Sequence, residues 1–407
     1  MPRITTACWR HLSEAKCWFD KFRAFHEEDK TEGAFEMNES PYSLGKAKQY
    51  QKKRQKLSLI HLFLTPAILC GLILTPLSGW FRDYALSVTT SGCLVVTLYF
   101  ALFSLYMLIF DIPSAFYSGF ILERRFGLSN HTPLSWGLDF LKKSVLSFLV
   151  SWLLIEVLYF LIRQFPHQWW IFAWAGFSFA SCVLGKIFPV FIVPLFYKYG
   201  KVENDLVREK IFKLAARFSL PLENVYSLNL SRTTKKANAA FMGLGKTKRV
   251  VLSDTLLNHF TAEEIETVVA HEIGHFKHRD IWKQLALGML TSLLAFRLAY
   301  KSLDPAARFF GFEGAQDVAS LPLLFLIFYG VYLILTPLQN GISRIFERAA
   351  DRFALEVCKQ PGTFISCMTK LGEVNLSDPE PHPLWEWFFY DHPAIGKRIK
   401  MAEQWKE

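Results

Sequence analysis

The 407-residue chain has little charge for its length. Asp, Glu, Lys and Arg make up 20% of it, against 51% hydrophobic residues, where soluble chains average roughly 25% charged. That shortage excludes a chain made only of water-exposed domains. A patterned cysteine set is also missing. The seven cysteines (Cys8, Cys17, Cys70, Cys93, Cys182, Cys358 and Cys367) are odd in number and contain no C-x-x-C pair. They support neither a disulfide framework nor a thiolate metal site. No secretory signal is read at the N-terminus, where residues 1–25 set Trp9, Trp18 and Phe19 among Lys and Arg without an apolar run. Internal repeats and low-complexity tracts are absent. The net charge of +10 does not point to nucleic acid, because membrane proteins gather basic residues on their cytoplasmic side.

Long apolar runs are what the chain has. A membrane-spanning helix needs roughly 20 apolar residues, and about six stretches approach that length: Leu57–Trp80, Tyr84–Phe110, Val145–Ile162, Trp169–Tyr197, Ile281–Tyr300 and Leu321–Leu338. Lys283 and Arg297 interrupt the fifth. Lys46, Lys48, Lys52, Lys53, Arg54 and Lys56 precede the first stretch, and Arg124, Arg125, Lys142 and Lys143 lie between the second and third. An N-terminus on the cytoplasmic side puts all of these basic loops inside. Segments 198–280 and 339–407 then fall on that side together. Glu156 and Lys186 are polar positions within the third and fourth stretches, suited to a wet interior or to an interface.

The two inside segments read as halves of one domain. Residues 203–218 place Val207, Ile211, Leu214 and Phe218 on one helical face, with Pro221 as the stop. Residues 225–230 and 249–252 read as short strands, with Gly243 and Gly245 in the turn between them. Thr261-Ala262-Glu263-Glu264 is a capping box opening a helix through His278. A further helix covers 343–357, and a proline-rich stretch near 379–383 precedes the last helix.

The chemistry is concentrated in His271-Glu272-Ile273-Gly274-His275. On a helix, positions i and i+4 share a face, so both imidazoles reach one ion while Glu272 stands beside them to accept a proton from water. In a chain with 11 His the pattern is expected by chance on the order of once in a hundred sequences. Catalytic zinc takes three protein ligands and leaves one position open. A third His in the extended motif is missing, since His278 stands at the Gly position and Ile281 at the His position. The acids before Glu347 are Asp280, Asp304, Glu313 and Asp317, and the expected topology puts the last three across the membrane. Glu347, four residues before Asp351, is therefore the expected third ligand, with Asp351 fixing a histidine tautomer. His278 stays open as a substitute.

These residues resemble the integral-membrane CAAX prenyl proteases, zinc enzymes related more distantly to the heat-shock protease HtpX. The likeness runs from about Lys46 to the C-terminus. It includes Leu122-Glu123-Arg124-Arg125-Phe126-Gly127, Asn238-Ala239-Ala240-Phe241, Lys248-Arg249-Val250-Val251-Leu252, the two-histidine motif, Glu347 to Asp351, and Asp391-His392-Pro393 with Arg398. The resemblance implies one Zn2+ per chain on His271, His275 and Glu347, with Glu272 as catalytic base. It implies substrate pairing along Asn238, Ala239 and Phe241. It implies oxyanion stabilisation or substrate binding by His392, and a structural pairing of Arg398, for instance with Asp351. The family's prenyl proteases have seven spans, whereas none is read here before Leu57.

The expected fold is mainly α: a multi-pass transmembrane helical bundle of about six spans carrying a cytoplasmic, zincin-like α+β metalloprotease domain. The expected segments are a non-spanning 1–56, four spans in 57–197, the first domain part in 198–280, two spans in 281–338 and the second part in 339–407. The expected function is zinc-dependent hydrolysis of peptide bonds near the C-terminus of prenylated proteins. A prenyl-independent quality-control protease and a zinc-binding transporter or receptor are the alternatives. The expected partners are a peptide or protein substrate and the lipid bilayer, with no nucleic acid. The expected location is a bacterial inner membrane or the endoplasmic reticulum membrane.

Overall fold

A computed structural model describes residues 44–220, 224–242 and 249–406. The Trp9–Phe19 segment, Pro221, Gly243 and Gly245 lie outside the described residues. The N-terminal half is a run of helices: α1 (Leu44–Leu74), α2 (Leu77–Val88), α3 (Gly92–Phe116), α4 (Pro133–Gln164) and α5 (Trp169–Ile187). Beyond Pro113, α3 continues through a π-helical stretch, Tyr117–Ile121, and one more turn, Leu122–Arg125. Thr132 starts α4 with a capping box closed by Ser135 and with Pro133 in the first turn.

The C-terminal half opens with β1 (Tyr199–Lys201), α6 (Asp205–Arg217), β2 (Val225–Leu228), β3 (Ala239–Met242), β4 (Arg249–Ser253), α7 (Asp254–His259) and α8 (Ala262–Lys277). It continues with α9 (Asp280–Phe309), α10 (Leu321–Cys358), α11 (Pro361–Asn375), α12 (Pro383–Phe389) and α13 (Ile395–Glu403). The sheet order is β1-β2-β4-β3. The β2–β4 pair is parallel and the other two pairs are antiparallel, so β3 is an edge strand. Val207, Ile211 and Leu214 of α6 bury the face read from their spacing. They pack with Val250 and Leu252 of β4, Val269 and Ile273 of α8, and Phe353 of α10 in one core. Helix α6 ends at left-handed Ser219 (φ 52), before Pro221 is reached.

Among the described residues five helices are long and apolar enough to cross a membrane: α1, α3 with its extension to Arg125, α4, α5 extended to Leu195, and α10. The sixth expected stretch lies within α9, which is 30 residues long but diluted by Lys283, Arg297, Lys301 and Asp304. It still joins the bundle. Trp174 of α5 donates to the Met289 carbonyl at 2.8 Å, and the Phe296 ring packs tilted against Phe177 and edge-on to Phe328. Large apolar side chains point outward all along these helices, including Phe63, Ile109, Phe179 and Ile334 at 66–75% exposure. A water-facing monomer rarely shows such a surface.

Several expected boundaries move. Tyr84 belongs to α2 rather than to the second span, because Thr89–Ser91 breaks the chain there. The basic run before residue 57 is the first part of α1, and 339–357 continues the apolar span as the single helix α10. Pro337 sits inside α10 without ending it. Glu156 receives a hydrogen bond from Thr97 at 2.6 Å, so its polar end is satisfied between α3 and α4.

At the end of the bundle where α9 turns into α10, Asp317 accepts from Arg82 at 2.7 Å and from the backbone N–H groups of Glu313 (3.1 Å) and Ala319 (2.9 Å). Ser78 bridges Tyr99 and the Ala319 carbonyl nearby, at 2.7 and 2.8 Å. These bonds clamp α2 and α3 to the α9–α10 connection.

Candidate active site and metal centre

Helix α8 sets the site. Its N-cap Thr261 and Glu264 exchange hydrogen bonds as a capping box. Glu264 also receives Ser366 at 2.7 Å and Lys370 at 2.9 Å, tying α8 to α11. Two turns on, His271 and His275 lie on one face with their Nε2 atoms 3.1 Å apart. Position 274 is glycine because α10 passes there. A Cβ would meet Ala350 Cα at 3.0 Å. This close approach delivers Glu347, whose Oε2 lies 3.2 Å from His271 Nε2 and whose Oε1 lies 3.2 Å from His275 Nε2.

Each ring is anchored from behind. His271 Nδ1 donates to Asp351 at 2.8 Å, and buried Asp351 is held by Arg398 through bonds of 2.8 and 2.5 Å. His275 Nδ1 donates to Asp280 at 3.0 Å, and Asp280 also takes Lys283 at 3.0 Å. With both Nδ1 positions used, both Nε2 lone pairs are turned to the shared space. Glu347 Oε2 is buried and has no hydrogen-bond partner there, although it sits near His271. A buried carboxylate oxygen left in that state is costly, and a cation between the three groups satisfies it. Ligand atoms of His271, His275 and Glu347 all fall within 4.8 Å of one another, a two-nitrogen, one-oxygen set that suits zinc.

The anchoring carboxylates also set the charge of the rings. Burial alone would lower the His271 pKa, but Asp351 at Nδ1 and Glu347 at Nε2 outweigh it and lift it to about 9 in the protein without a bound ion. Burial likewise opposes protonation of His275, and Glu347 and Asp280 raise it.

Glu272 turns towards the sheet, where its Oε2 accepts the Phe241 N–H at 3.0 Å. That N–H lies on the unpaired side of β3. Asn238 continues the strand: its carbonyl accepts the Ser253 N–H at 2.9 Å and its own N–H donates to the Ser253 hydroxyl at 3.0 Å. Asn238, Ala239, His271 and Glu272 line a cavity of about 820 Å³. Phe241 lines a second, of about 520 Å³, with Glu272, His275 and Glu347. His392 reaches the cluster from the loop after α12, with Nε2 3.3 Å from Glu347 Oε1 and Nδ1 2.9 Å from Asp391. His278 stands apart, its ring edge-on to Phe353.

The roles of three residues escaped the sequence reading. Asp280 follows left-handed Arg279 (φ 59), which folds the start of α9 back beside His275. Its only signal was a carboxylate just past the motif. Arg344 of α10 holds the His392 loop by donating to the carbonyls of Glu386 (2.9 Å) and Tyr390. Asn340 adds a bond to the Phe388 carbonyl at 2.6 Å.

Comparison with known proteins places these features in context. The model of Peptidase family M48 matches residues 201–406. That of the CAAX prenyl protease N-terminal region, five membrane helices, matches residues 24–198. The chain is similar to an uncharacterised metalloprotease, YhfN, of Bacillus subtilis (strain 168), at 33% identity over 70% of this chain and 68% of that protein. It is also similar to CAAX prenyl protease 1 homolog of Oryza sativa subsp. japonica (32%, covering 72% and 69%). CAAX prenyl protease 1 of Saccharomyces cerevisiae is 31% identical, covering 71% and 68%. The crystal structure of S. mikatae Ste24p superposes with a TM-score of 0.81 over 97% of each chain at 22% identity.

Proposed function

We propose, from the premise that this chain belongs to peptidase family M48 and is a multi-pass membrane metalloendopeptidase, that it holds one zinc ion on His271, His275 and Glu347 and cleaves prenylated proteins near their C-terminus. The observation that carries the reading is the convergence of both imidazole Nε2 atoms on a buried, unpartnered Glu347 oxygen. Neither the quality-control protease nor the zinc transporter is favoured by the relatives.

A zinc ion there would acidify a water molecule and polarise the carbonyl under attack. Glu272 takes the proton of the attacking water onto its carboxylate and passes it to the leaving amine. It is released for this work when substrate pairs with β3 and takes over the Phe241 N–H, an instance of β-augmentation in which Asn238, Ala239 and Phe241 form the pairing edge. His392, oriented by Asp391 at its Nδ1, is placed to bind the substrate or the developing oxyanion. Asp351 and Asp280 fix the metal-binding rings, and Arg398 fixes Asp351.

Two observations support a lipid-bearing, cytoplasmic substrate. An apolar cavity of about 860 Å³ among α4, α5, α9 and α10 shares Gln284, Gly288 and Gln339 with the cavity beside Phe241. A prenyl chain has a way from there to the scissile bond. The basic end of α1 contacts the catalytic half through Arg54, Glu123 and Lys236, which fits a catalytic domain on the cytoplasmic face of a bacterial inner membrane or of the endoplasmic reticulum.

The test compares a farnesylated C-a-a-X peptide with the same peptide lacking its lipid, using purified zinc-loaded protein and its Glu272→Ala variant. The lipidated peptide is expected to be cleaved faster, and the variant is expected to keep zinc while losing about 10²–10⁴-fold in kcat. Equal turnover of both peptides would show a prenyl-independent protease, and full activity in the variant would remove Glu272 from the mechanism.

A further inference from the structure

The Leu122–Gly127 segment has had no part in the chemistry so far, yet Glu123 bonds Tyr50, Lys236 and Arg54, which line the active-site cavity. Its carboxylate accepts the Tyr50 hydroxyl at 2.5 Å and Lys236 Nζ at 2.7 Å, and Arg54 Nη1 approaches it at 3.4 Å. Lys236 and Arg54 also bond the Tyr50 hydroxyl, at 2.9 and 3.0 Å. Two cations therefore share one carboxylate, and this group carries a surplus positive charge. Lys236 and Arg54 both line the cavity of about 820 Å³ that holds Glu272 and His271. Their side chains are 27% and 53% exposed.

The other charged groups on that wall have closer partners. Arg398 is committed to Asp351, Asp391 to His392 and Glu272 to the Phe241 N–H, while Asp378 keeps its charge and accepts the Glu380 N–H. The surplus cation is thus a preformed place for an anion, beside a site that acts on peptides.

Strand polarity says which part of a substrate arrives there. An extended peptide pairing antiparallel with β3 runs from the Phe241 end towards Asn238. Its N-terminal part lies by the cavity that joins the apolar one, and its C-terminal part heads for Lys236. From Phe241, whose N–H touches Glu272, back to Lys236 is about 16 Å of extended chain. A leaving tripeptide spans about 10 Å, and the flexible lysine stem covers the remainder.

We propose that Lys236 and Arg54, positioned by Glu123, bind the free α-carboxylate at the substrate's C-terminus and so fix the distance from chain end to scissile bond. This rests on the peptidase reading above and deepens it. The enzyme selects a free chain end as well as a lipid, and internal bonds of a long chain lack the anchoring anion.

The experiment measures kcat/KM for one farnesylated C-a-a-X peptide as the C-terminal acid and as the amide. It uses zinc-loaded wild type, Arg54→Gln, and the Arg54→Gln/Lys236→Gln double variant, all in detergent. Wild type is expected to cleave the acid at least about 10-fold faster, consistent with loss of one charge-assisted contact. The double variant is expected to cleave both at nearly the same rate, with the loss confined to the acid. Arg54→Gln, at a half-exposed position, keeps the fold and gives an intermediate ratio. Equal cleavage of acid and amide by wild type overturns the carboxylate site alone. A ratio unchanged in both variants does the same, even when both rates fall together. Cleavage of neither peptide by wild type instead sinks the peptidase reading, and this inference with it.

Discussion

Two buried carboxylates on or beside helix α10 meet their surroundings in opposite ways. Asp317, just before the helix begins, is saturated by an arginine and two backbone N–H groups. Glu347, 26 residues into the same helix, faces three imidazoles and keeps one buried oxygen without a hydrogen bond. A closed network holds helices together, whereas an open one is ready for something that is not part of the chain. The number of buried acids does not tell these roles apart, but the completeness of their bonding does.

The contrast can be broken at either end. Glu347→Ala should remove the metal and with it at least about 10³-fold of the peptidase activity, by analogy with loss of a group that acts as one unit with its neighbours. Metal content by elemental analysis alongside turnover checks it. Retained stoichiometric zinc would mean that another residue completes the set. At the closed end, Arg82→Met should leave Asp317 buried and uncompensated, costing about 3 kcal/mol, without changing metal content. A thermal midpoint in detergent measures the cost, and loss of zinc in a folded variant would contradict the division of labour. Asp280→Asn should weaken metal affinity about 10- to 100-fold, the usual effect of removing a ligand's hydrogen-bond partner. Competition with a chelator reads it.

The smallest effect sharpens the comparison rather than breaking it. His271, with its pKa lifted to about 9, carries a proton at neutral pH when no ion is bound, and the pKa of His275 is shifted in the same direction. Metal and proton compete for the same nitrogens. Affinity should therefore fall as pH drops below about 9, and metal uptake at pH 7 should release on the order of one or two protons. Calorimetry in buffers of different ionisation enthalpy counts them, and a proton count of zero would refute the assigned charge states.

Much of the site was legible because its information is local. The capping box at Thr261 and the i, i+4 histidines each lie within one turn or two of helix, and Glu347 followed from the failure of the extended motif and from a topology that put Asp304, Glu313 and Asp317 across the membrane. Asp280 was not legible, since its role depends on Arg279 adopting a left-handed backbone, which its side chain gives no reason to expect. The Ala-Ala-Phe-Met strand lacks alternation and was visible only through family likeness, while three-residue β1 was too short to notice. Five of the six expected stretches lie in helices long and apolar enough to cross a membrane, but their ends were not legible. The segments before Leu57 and after Leu338 read as non-spanning, yet α1 and α10 each continue the apolar run and the charged one as a single helix.

The continuity of α10 has a geometric consequence. Each residue of a helix turns the chain by 100° and advances it 1.5 Å. Deleting or inserting one residue anywhere between Leu321 and Glu347 would swing the carboxylate about a quarter-turn away from the histidines. Adding seven would nearly restore its bearing, yet shift it by about 10 Å along the axis. The length of this span is thus phased to the chemistry at its end, and drift in length that the lipid would accept is forbidden by the angle at which Glu347 must arrive.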